Sequence, residues 1–183
     1  MSTKSNVTAG KAKTAGPIFV AATDATLPTS AAETLDAAFT ALGYMSEDGL
    51  TNSNSPESSD IKAWGGDIVL SVQTGKPDTF KFKMIEALNV DVLKAVYGSS
   101  NVTGTLAAGI TVNANSTELP EQAWVADMIM RNGAAKRVVI PSGKITEISE
   151  IAYTDSDAVG YEVTVTAYPD ESGNTHYEYI KAA

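Results

Sequence analysis

The chain has 183 residues, 43% apolar side chains, no cysteine and a net charge of −9. This length suffices for one domain that buries roughly 70% of its unfolded surface, and no stretch reaches the ~18 apolar residues of a membrane-spanning helix. The lack of cysteine excludes disulfides, thiolate metal ligands and a cysteine nucleophile, and the acidic charge argues against an affinity for nucleic acid phosphates.

Residues 1–16 are predicted to form a flexible N-terminal arm. They are rich in Ser, Thr, Gly, Ala and Lys, and Val7 is the only apolar residue larger than alanine after Met1. Ordering such a segment costs about 1 to 2 kcal/mol per residue, with little burial in return. The arm has no apolar core of a signal peptide, so we expect synthesis in the host cytoplasm and no membrane anchor.

Charge is unevenly distributed between the arm and the rest of the chain. Lys4, Lys11 and Lys13 lie in the first 23 residues, which contain no acid. The remaining 160 residues therefore carry ten basic and 22 acidic side chains. The body of the protein is expected to repel phosphates rather than bind them.

Residues 17–22, "PIFVAA", are predicted as the first strand, and residues 30–42 as a helix. Ser30 and Glu33 have the spacing of a capping box, and Gly43 suits the end of a helix. The apolar residues between these signals recur at helical spacing.

Residues 44–66 are predicted as a long loop, because they are rich in Ser and Asn and contain Pro56. Trp64 stands at the foot of this loop. We interpret it first as core packing. The alternative is a contact anchor, since tryptophan is enriched at binding hot spots.

The period of the apolar pattern then changes to two. Residues 67–74, "DIVLSVQT", and 79–85, "TFKFKMI", alternate apolar and polar side chains, and a turn at 75–78 predicts that they pair as an antiparallel hairpin. Residues 89–98, "NVDVLKAVYG", are typical of a short helix that begins after Asn89 and ends at Gly98.

The second half of the chain is a series of short predicted strands. They are "GITVNA", "AWVADMIM", "AKRVVI", "KITEISEIAY", "GYEVTVTAY" and "HYEYIK", with turns between them, including one at residues 141–143. This pattern predicts a mainly β fold: an antiparallel β-sandwich or open barrel with one or two short α-helices. Residues 17–183 are expected to form this single domain.

No pattern indicates catalysis, and we predict no catalytic residue, no metal site and no cofactor. The single histidine, His176, is interpreted as a half-exposed strand residue without triad or metal partners. The segment 155–160 is similar to the start of a calcium loop, but Thr166 stands where the bidentate glutamate belongs. Glu147 and Glu150 are interpreted as part of a solvated acidic face rather than as an acid/base pair.

Three stretches together resemble the major tail (tail tube) proteins of long-tailed, siphovirus-type bacteriophages. They are "LGYMSEDGLTNSNSPESSDIKAWGGDIV", "DTFKFKMIEALNVDVLKAVYG" and "YEVTVTAYPDESGNTHYEYI", and the resemblance covers roughly residues 17–181 in order. It implies a phage tail tube-like fold, shared with the type VI secretion tube, and a structural role in the virion tail. The implied assembly is a stack of hexameric rings around the tape measure protein, with tail terminator and tail-tip proteins at its ends, which later conducts DNA without binding it specifically.

The resemblance also implies that residues 44–66 form a ring-stacking loop and that the arm extends toward an adjacent ring. The predicted stacking residues are Leu50, Thr51, Asn52, Ser53, Asn54, Glu57, Ile61 and Trp64. Alternation alone suggests a second set that faces the lumen: Asp67, Ser71, Gln73, Glu162, Thr164 and Thr166. These polar faces have an alternative interpretation, in which they simply meet outside solvent.

A different class of function stays open at this point. The chain is also compatible with a monomeric β-sandwich binding module for carbohydrate or protein, in which Trp64 or Trp124 provides an aromatic platform. Loss of glycan binding on Trp64→Ala without unfolding would favour that function. Formation of rings or tubes would favour the structural one.

Overall fold

The computed structural model describes residues 2–14 and 16–182; Met1 and Ala15 of the predicted arm, and Ala183, lie outside this range. The described strands are β1 (Gly10–Ala12), β2 (Ile18–Ala22), β3 (Thr40–Ala41), β4 (Met45–Asn54), β5 (Glu57–Lys62), β6 (Ile68–Gly75), β7 (Asp78–Met84), β8 (Val102–Thr105), β9 (Gly109–Val112), β10 (Gln122–Met130), β11 (Ala135–Ile148), β12 (Tyr161–Tyr168) and β13 (Tyr177–Lys181). The α-helix in the described part of the chain, α1, is Val90–Tyr97, and short 3-10 turns occupy Lys4–Asn6 and Ser99–Asn101.

Nine strands form one antiparallel sheet, which we call the main sheet. Its order is β3-β2-β10-β11-β12-β7-β4, with β1 added beside β2 on β10 and β13 added beside β12 on β11. Its two end strands, β3 and β4, do not pair with each other, so the sheet curves without closing. The predicted mainly β architecture, an antiparallel sandwich or open barrel, is confirmed.

The main core lies on one face of the sheet and is covered by α1. In β7 and β12 every second side chain is buried, as alternation predicts. Helix α1 adds Val92 and Val96, both almost fully buried, to the same cluster. Its first turn is capped by Asn89, whose side chain accepts a hydrogen bond from the Asp91 amide. The predicted helix is therefore confirmed, with its cap.

Strand β10 is buried on both faces, which explains its continuous apolar sequence. Trp124 and Ala126 point into the main core, whereas Ala123 and Val125 join a second cluster on the opposite face. The segment that follows β2 supplies the cover of that second cluster, including Phe39. The result is a sheet with packed material on both sides along its centre.

The helix predicted over residues 30–42 is wrong. This segment consists of turns that end in the short strand β3. The Arg137 guanidinium, almost fully buried, donates to the carbonyl oxygens of Ser30 at 3.0 Å and Glu33 at 2.8 Å. The Glu33 carboxylate accepts from the amide of Thr29 rather than closing a capping box with Ser30. Carbonyl oxygens that would accept backbone hydrogen bonds within a helix therefore accept them from a distant arginine side chain.

Gly43 ends this segment for a reason unrelated to a helix. Its φ is +67°, which favours glycine, and a Cβ there would overlap the Glu86 carboxylate. That carboxylate accepts a hydrogen bond of 2.8 Å from the Tyr44 amide. The glycine lets the chain cross from β3 to β4 at close range.

The turn predicted at residues 141–143 is also wrong, because β11 runs through it as one strand of 14 residues. Before Pro141, β11 pairs with β13; after it, β11 pairs with β12. The register against β10 shifts at this level as well. Proline has no amide hydrogen to give to a ladder, and it is tolerated where one partner strand ends and the next begins.

Candidate assembly interface

Residues 45–84 form one long two-stranded ribbon. Its lower part is β4 paired with β7, inside the main sheet, and its upper part is β5 paired with β6. A turn at residues 63–67 closes it, with the Ala63 amide donating to the Asp67 carbonyl at 2.8 Å. The segment 44–66, predicted as a loop, is therefore mostly strand, and the hairpin predicted between β6 and β7 is wrong. We call residues 57–75 the tip hairpin.

The tip hairpin exposes large apolar side chains. Trp64 is fully exposed at the turn, so its interpretation as core packing is wrong. Ile68 and Leu70 are 59% and 53% exposed, and three further apolar side chains of the hairpin are also exposed: Ile61, Val69 and Val72. Two strands alone are marginally stable in water, and a contiguous exposed apolar surface marks an interaction site.

Two prolines separate the tip hairpin from the main sheet. The last pairs on either side of the break are Asn54 with Asp78 and Glu57 with Gly75. Pro56 and Pro77 lie between these pairs, on opposite strands of the ribbon. Because neither has an amide hydrogen, the ladder is interrupted at one level across the whole ribbon.

Below this break, Asp78 fixes the base of the ribbon to the C-terminal part of the chain. Its carboxylate accepts hydrogen bonds from Asn52 Nδ2 at 2.8 Å and Thr175 Oγ1 at 2.5 Å. His176 Nδ1 lies 2.5 Å from the same carboxylate, and its ring packs edge-on against Phe80. The histidine predicted as a half-exposed strand residue thus precedes β13 and holds the buried aspartate. The cluster is structural in character.

The eight predicted stacking residues do not form one surface. Those from Leu50 to Asn54 belong to β4 and pair with β7, and Leu50 packs partly against the main core. Glu57, Ile61 and Trp64 belong to the tip hairpin. The exposed apolar side chains of β6 were not among the predicted stacking residues: Ile68, Val69, Leu70 and Val72.

The six predicted lumen-facing residues also separate into two groups. Asp67, Ser71 and Gln73 lie exposed on the tip hairpin. The other three lie on the outer face of β12, opposite the buried valines of the same strand: Glu162, Thr164 and Thr166. Whether either group faces a lumen stays a prediction.

The outer face of β12 is polar but charge-balanced. Lys81 Nζ lies 2.8 Å from Glu162 Oε1, and Ser149 also donates to Glu162. These hydrogen bonds hold the pKa of Glu162 below its usual value, and the bond that Lys81 donates to Glu162 raises the pKa of Lys81. Lys144 on the neighbouring strand pairs with Glu118 in the same way. The lysines of this face therefore have carboxylates beside them.

The described residues offer little for other kinds of chemistry. They contain no group of three or more side chains placed to hold a metal ion. None of the helices described has the length and apolar character needed to cross a membrane. Trp124 is buried, with Nε1 donating to the Gly143 carbonyl at 3.0 Å, so it cannot serve as an exposed aromatic platform.

The chain matches a known protein family over almost its whole length. The family described as phage tail tube protein matches residues 2–183. No protein of curated function matches the chain significantly. The family match covers the main sheet, the tip hairpin and the arm together.

Proposed function

Because this chain belongs to the phage tail tube protein family, we propose that its copies form hexameric rings that stack into the tube. The protein is a structural component of the phage tail, located in the virion. In our proposal the lumen first holds the tape measure protein and later conducts DNA into the host. Tail terminator and tail-tip proteins cap the two ends.

The observation that carries the proposal is the exposed apolar surface of the tip hairpin. A fully exposed tryptophan beside several half-exposed Ile, Leu and Val side chains is unfavourable in a free monomer. Burying such side chains against another copy contributes roughly 25 cal/mol per Å² of apolar area. A hairpin that projects from its own domain is the natural part to reach the next ring.

Open strand edges support lateral contacts within a ring. Strands β3 and β4 end the main sheet, and β1 and β13 each pair with a single neighbour among the described strands. Unpaired edges invite pairing with another chain. A head-to-tail contact between copies closes into a ring when its rotation permits.

The charge of the chain supports passage of DNA without binding. A net charge of −9 per copy, repeated around a ring, gives a negative potential that repels phosphates. The outer face of β12 fits this role because its lysines are paired with glutamates. Salt screens the repulsion beyond about 8 to 10 Å, so DNA near the axis would pass without strong interaction.

The arm is proposed to order fully only on assembly. In the monomer, β1 pairs with β10 and Arg131 N donates to Thr8 Oγ1 at 3.0 Å, but the side chains of β1 are exposed. Trypsin should cleave the arm after Lys4, Lys11 and Lys13 in the monomer, and these sites should be protected in tubes. Equal cleavage in both states would contradict this role of the arm.

The main test is electron microscopy of the purified protein at rising concentration, with rings or tubes as the expected result. A matched variant replaces residues 55–77 with Asn-Gly, which joins Asn54 to Asp78 through a type I′ turn and removes the tip hairpin. It should fold with unchanged stability, because the removed residues contact no core. It should fail to assemble.

Three outcomes would count against the proposal. A wild-type chain that stays monomeric at all concentrations, also with tail-tip components, would contradict self-assembly. Normal tubes formed by the shortened variant would show that stacking depends on other surfaces. Glycan binding by the monomer that disappears on Trp64→Ala would favour a binding module.

A further inference from the structure

A groove of about 750 Å³ lies where the main sheet fails to close. One wall is the beginning of β4, and the other is β1 together with the second half of β10. Its surface is mainly apolar, with the side chains Ile18, Met45, Leu50, Met128 and Met130 among its lining. A volume of this size holds a few large side chains.

An irregularity in β4 holds the groove open. Between the pairs Met45–Met84 and Leu50–Phe82, β4 has four residues where β7 has one, so three are extra. These residues bulge away from the ladder, and Gly49 adopts a φ of +71° within them. The β4 edge therefore cannot approach β1 closely enough to pair there.

The tip hairpin of the same copy is badly placed to fill this groove. The groove lies at the beginning of β4, whereas the tip hairpin continues from the end of β4. Leu50 and Lys62 are twelve residues apart along extended chain, which spans about 40 Å at 3.3 Å per residue. The occupant therefore has to come from another molecule.

We propose that the groove receives the tip hairpin of a second copy, with Trp64 as the inserted side chain. This inference rests on the proposed function and assigns the acceptor surface for the hairpin. Donor and acceptor are different surfaces of one chain, so each copy uses both. Such a head-to-tail contact propagates without limit, as a stack of rings requires.

The chemistry of the two surfaces agrees. The tip hairpin presents an aromatic ring and branched aliphatic side chains, and the groove presents thioethers and aliphatic side chains. Methionine adapts to irregular shapes and makes favourable contacts with aromatic rings. Trp64 is the best anchor available, since tryptophan dominates the energy of many interfaces.

The two walls of the groove differ in charge. The tip hairpin carries three acidic side chains and one lysine. The β1 wall presents Lys11, and Asp127 of β10 is already paired with Arg137, whereas the β4 wall presents Glu47 and Asp48. Because opposite charges favour correct pairing, the acidic hairpin is expected to lie against the β1 wall.

Disulfide trapping tests the proposal, because the chain has no cysteine of its own. One preparation carries Ala63→Cys, which is exposed beside Trp64 at the tip and keeps the proposed anchor, and a second carries Glu47→Cys on the exposed rim of the groove. Mixing the two, assembling and oxidising should give a heterodimer between different copies. The control replaces Glu47→Cys by Leu106→Cys, which is also exposed but lies in the β8–β9 turn.

The outcomes separate this inference from the proposed function. Tubes with the 63–47 disulfide and without the 63–106 disulfide support both. Tubes in which Ala63→Cys couples to position 106, or to neither position, overturn the groove as acceptor and leave the tube function intact. Failure of the wild-type chain to assemble overturns both.

Affinity gives a second measurement. Trp64→Ala should weaken self-association by at least about 30-fold, the range of a binding hot spot. Leu106→Ala, the matched change at an exposed apolar residue outside both surfaces, should change it less than about threefold. Equal effects of the two substitutions would contradict the role of Trp64 as the anchor.

Discussion

The main sheet and the tip hairpin are built from strands with the same apolar alternation, yet their apolar side chains end in opposite environments. Phe80 in β7 is 2% exposed, whereas Leu70 in β6 is 53% exposed. The two strands follow each other directly along the chain. The difference is that β7 lies between β4 and β12 beneath a helix, while β6 has only β5 beside it.

This contrast shows what alternation measures. It reports that one face of a strand avoids water, without saying whether the cover comes from the same chain. In the main sheet the same chain buries the apolar side chains, so these residues determine the stability of the monomer. In the tip hairpin another copy would bury them under the proposed function, so these residues determine the strength of self-association.

The strongest test of the main sheet is Arg137→Ala. Arg137 forms a buried ion pair with Asp127, in which Nε and Nη2 donate to the two carboxylate oxygens at 2.6 and 2.7 Å. Its Nη1 also donates to the carbonyl oxygens of Ser30 and Glu33. Removing one partner of a buried pair costs about 3 to 5 kcal/mol. Chemical denaturation of the monomer measures this decrease in the free energy of unfolding. A loss under 1 kcal/mol would contradict this role.

Phe80→Ala and Trp64→Ala compare the two regions directly. Phe80→Ala should lower the free energy of unfolding by about 3 to 4 kcal/mol, because it leaves a cavity in the main core. Trp64→Ala should change it by less than about 0.5 kcal/mol, because the side chain touches solvent. Urea denaturation of both variants as monomers is the measurement. Similar losses would remove the distinction between the regions.

Asp78→Ala tests the point where the two regions meet. It should cost about 2 to 3 kcal/mol, since Asn52, Thr175 and His176 lose their buried acceptor. Amide exchange should also speed up in β4 and β7. Asp67→Ala, a matched change at the exposed turn of the tip hairpin, should have almost no effect on stability.

Alkaline pH should affect the main sheet and not the tip hairpin. Burial raises the pKa of Tyr97 and Tyr161, whose rings meet edge to face at 5.9 Å. A raised pKa in the folded state means that their contribution is fully present below about pH 10 and is lost as pH rises further. Tyr161→Phe should reduce this loss, which thermal melts between pH 8 and 11 would detect. The tip hairpin contains no tyrosine.

The smallest effect is expected from Glu162→Gln on the outer face of β12. The pKa of Glu162 is lowered by Lys81 and Ser149, so its contribution is present above about pH 4.3 and is lost as pH falls. The pair is partly exposed, and its removal should cost less than about 1 kcal/mol. In the variant, the free energy of unfolding should decrease slightly less as the pH is lowered. The same decrease in variant and wild type would show that the pair contributes nothing.

Local signals predicted the elements whose stabilising contacts are short-range. Helix α1 forms where Asn89 caps it, β7 and β12 form where alternation indicated strands, and β2 lies within the predicted strand 17–22. The mainly β class followed from the number of such strands. The composition also excluded cysteine chemistry.

Tertiary structure decided whatever depends on residues distant in sequence. The segment 30–42 has a helical pattern, but Arg137, about a hundred residues later, bonds its carbonyls and keeps it in turns. The pairing of β4 with β7, across 24 to 39 residues, likewise left β5 and β6 to pair with each other, which placed Trp64 at an exposed tip. Alternation gives each strand a face, and only the assembled sheet determines which faces are covered by the chain itself.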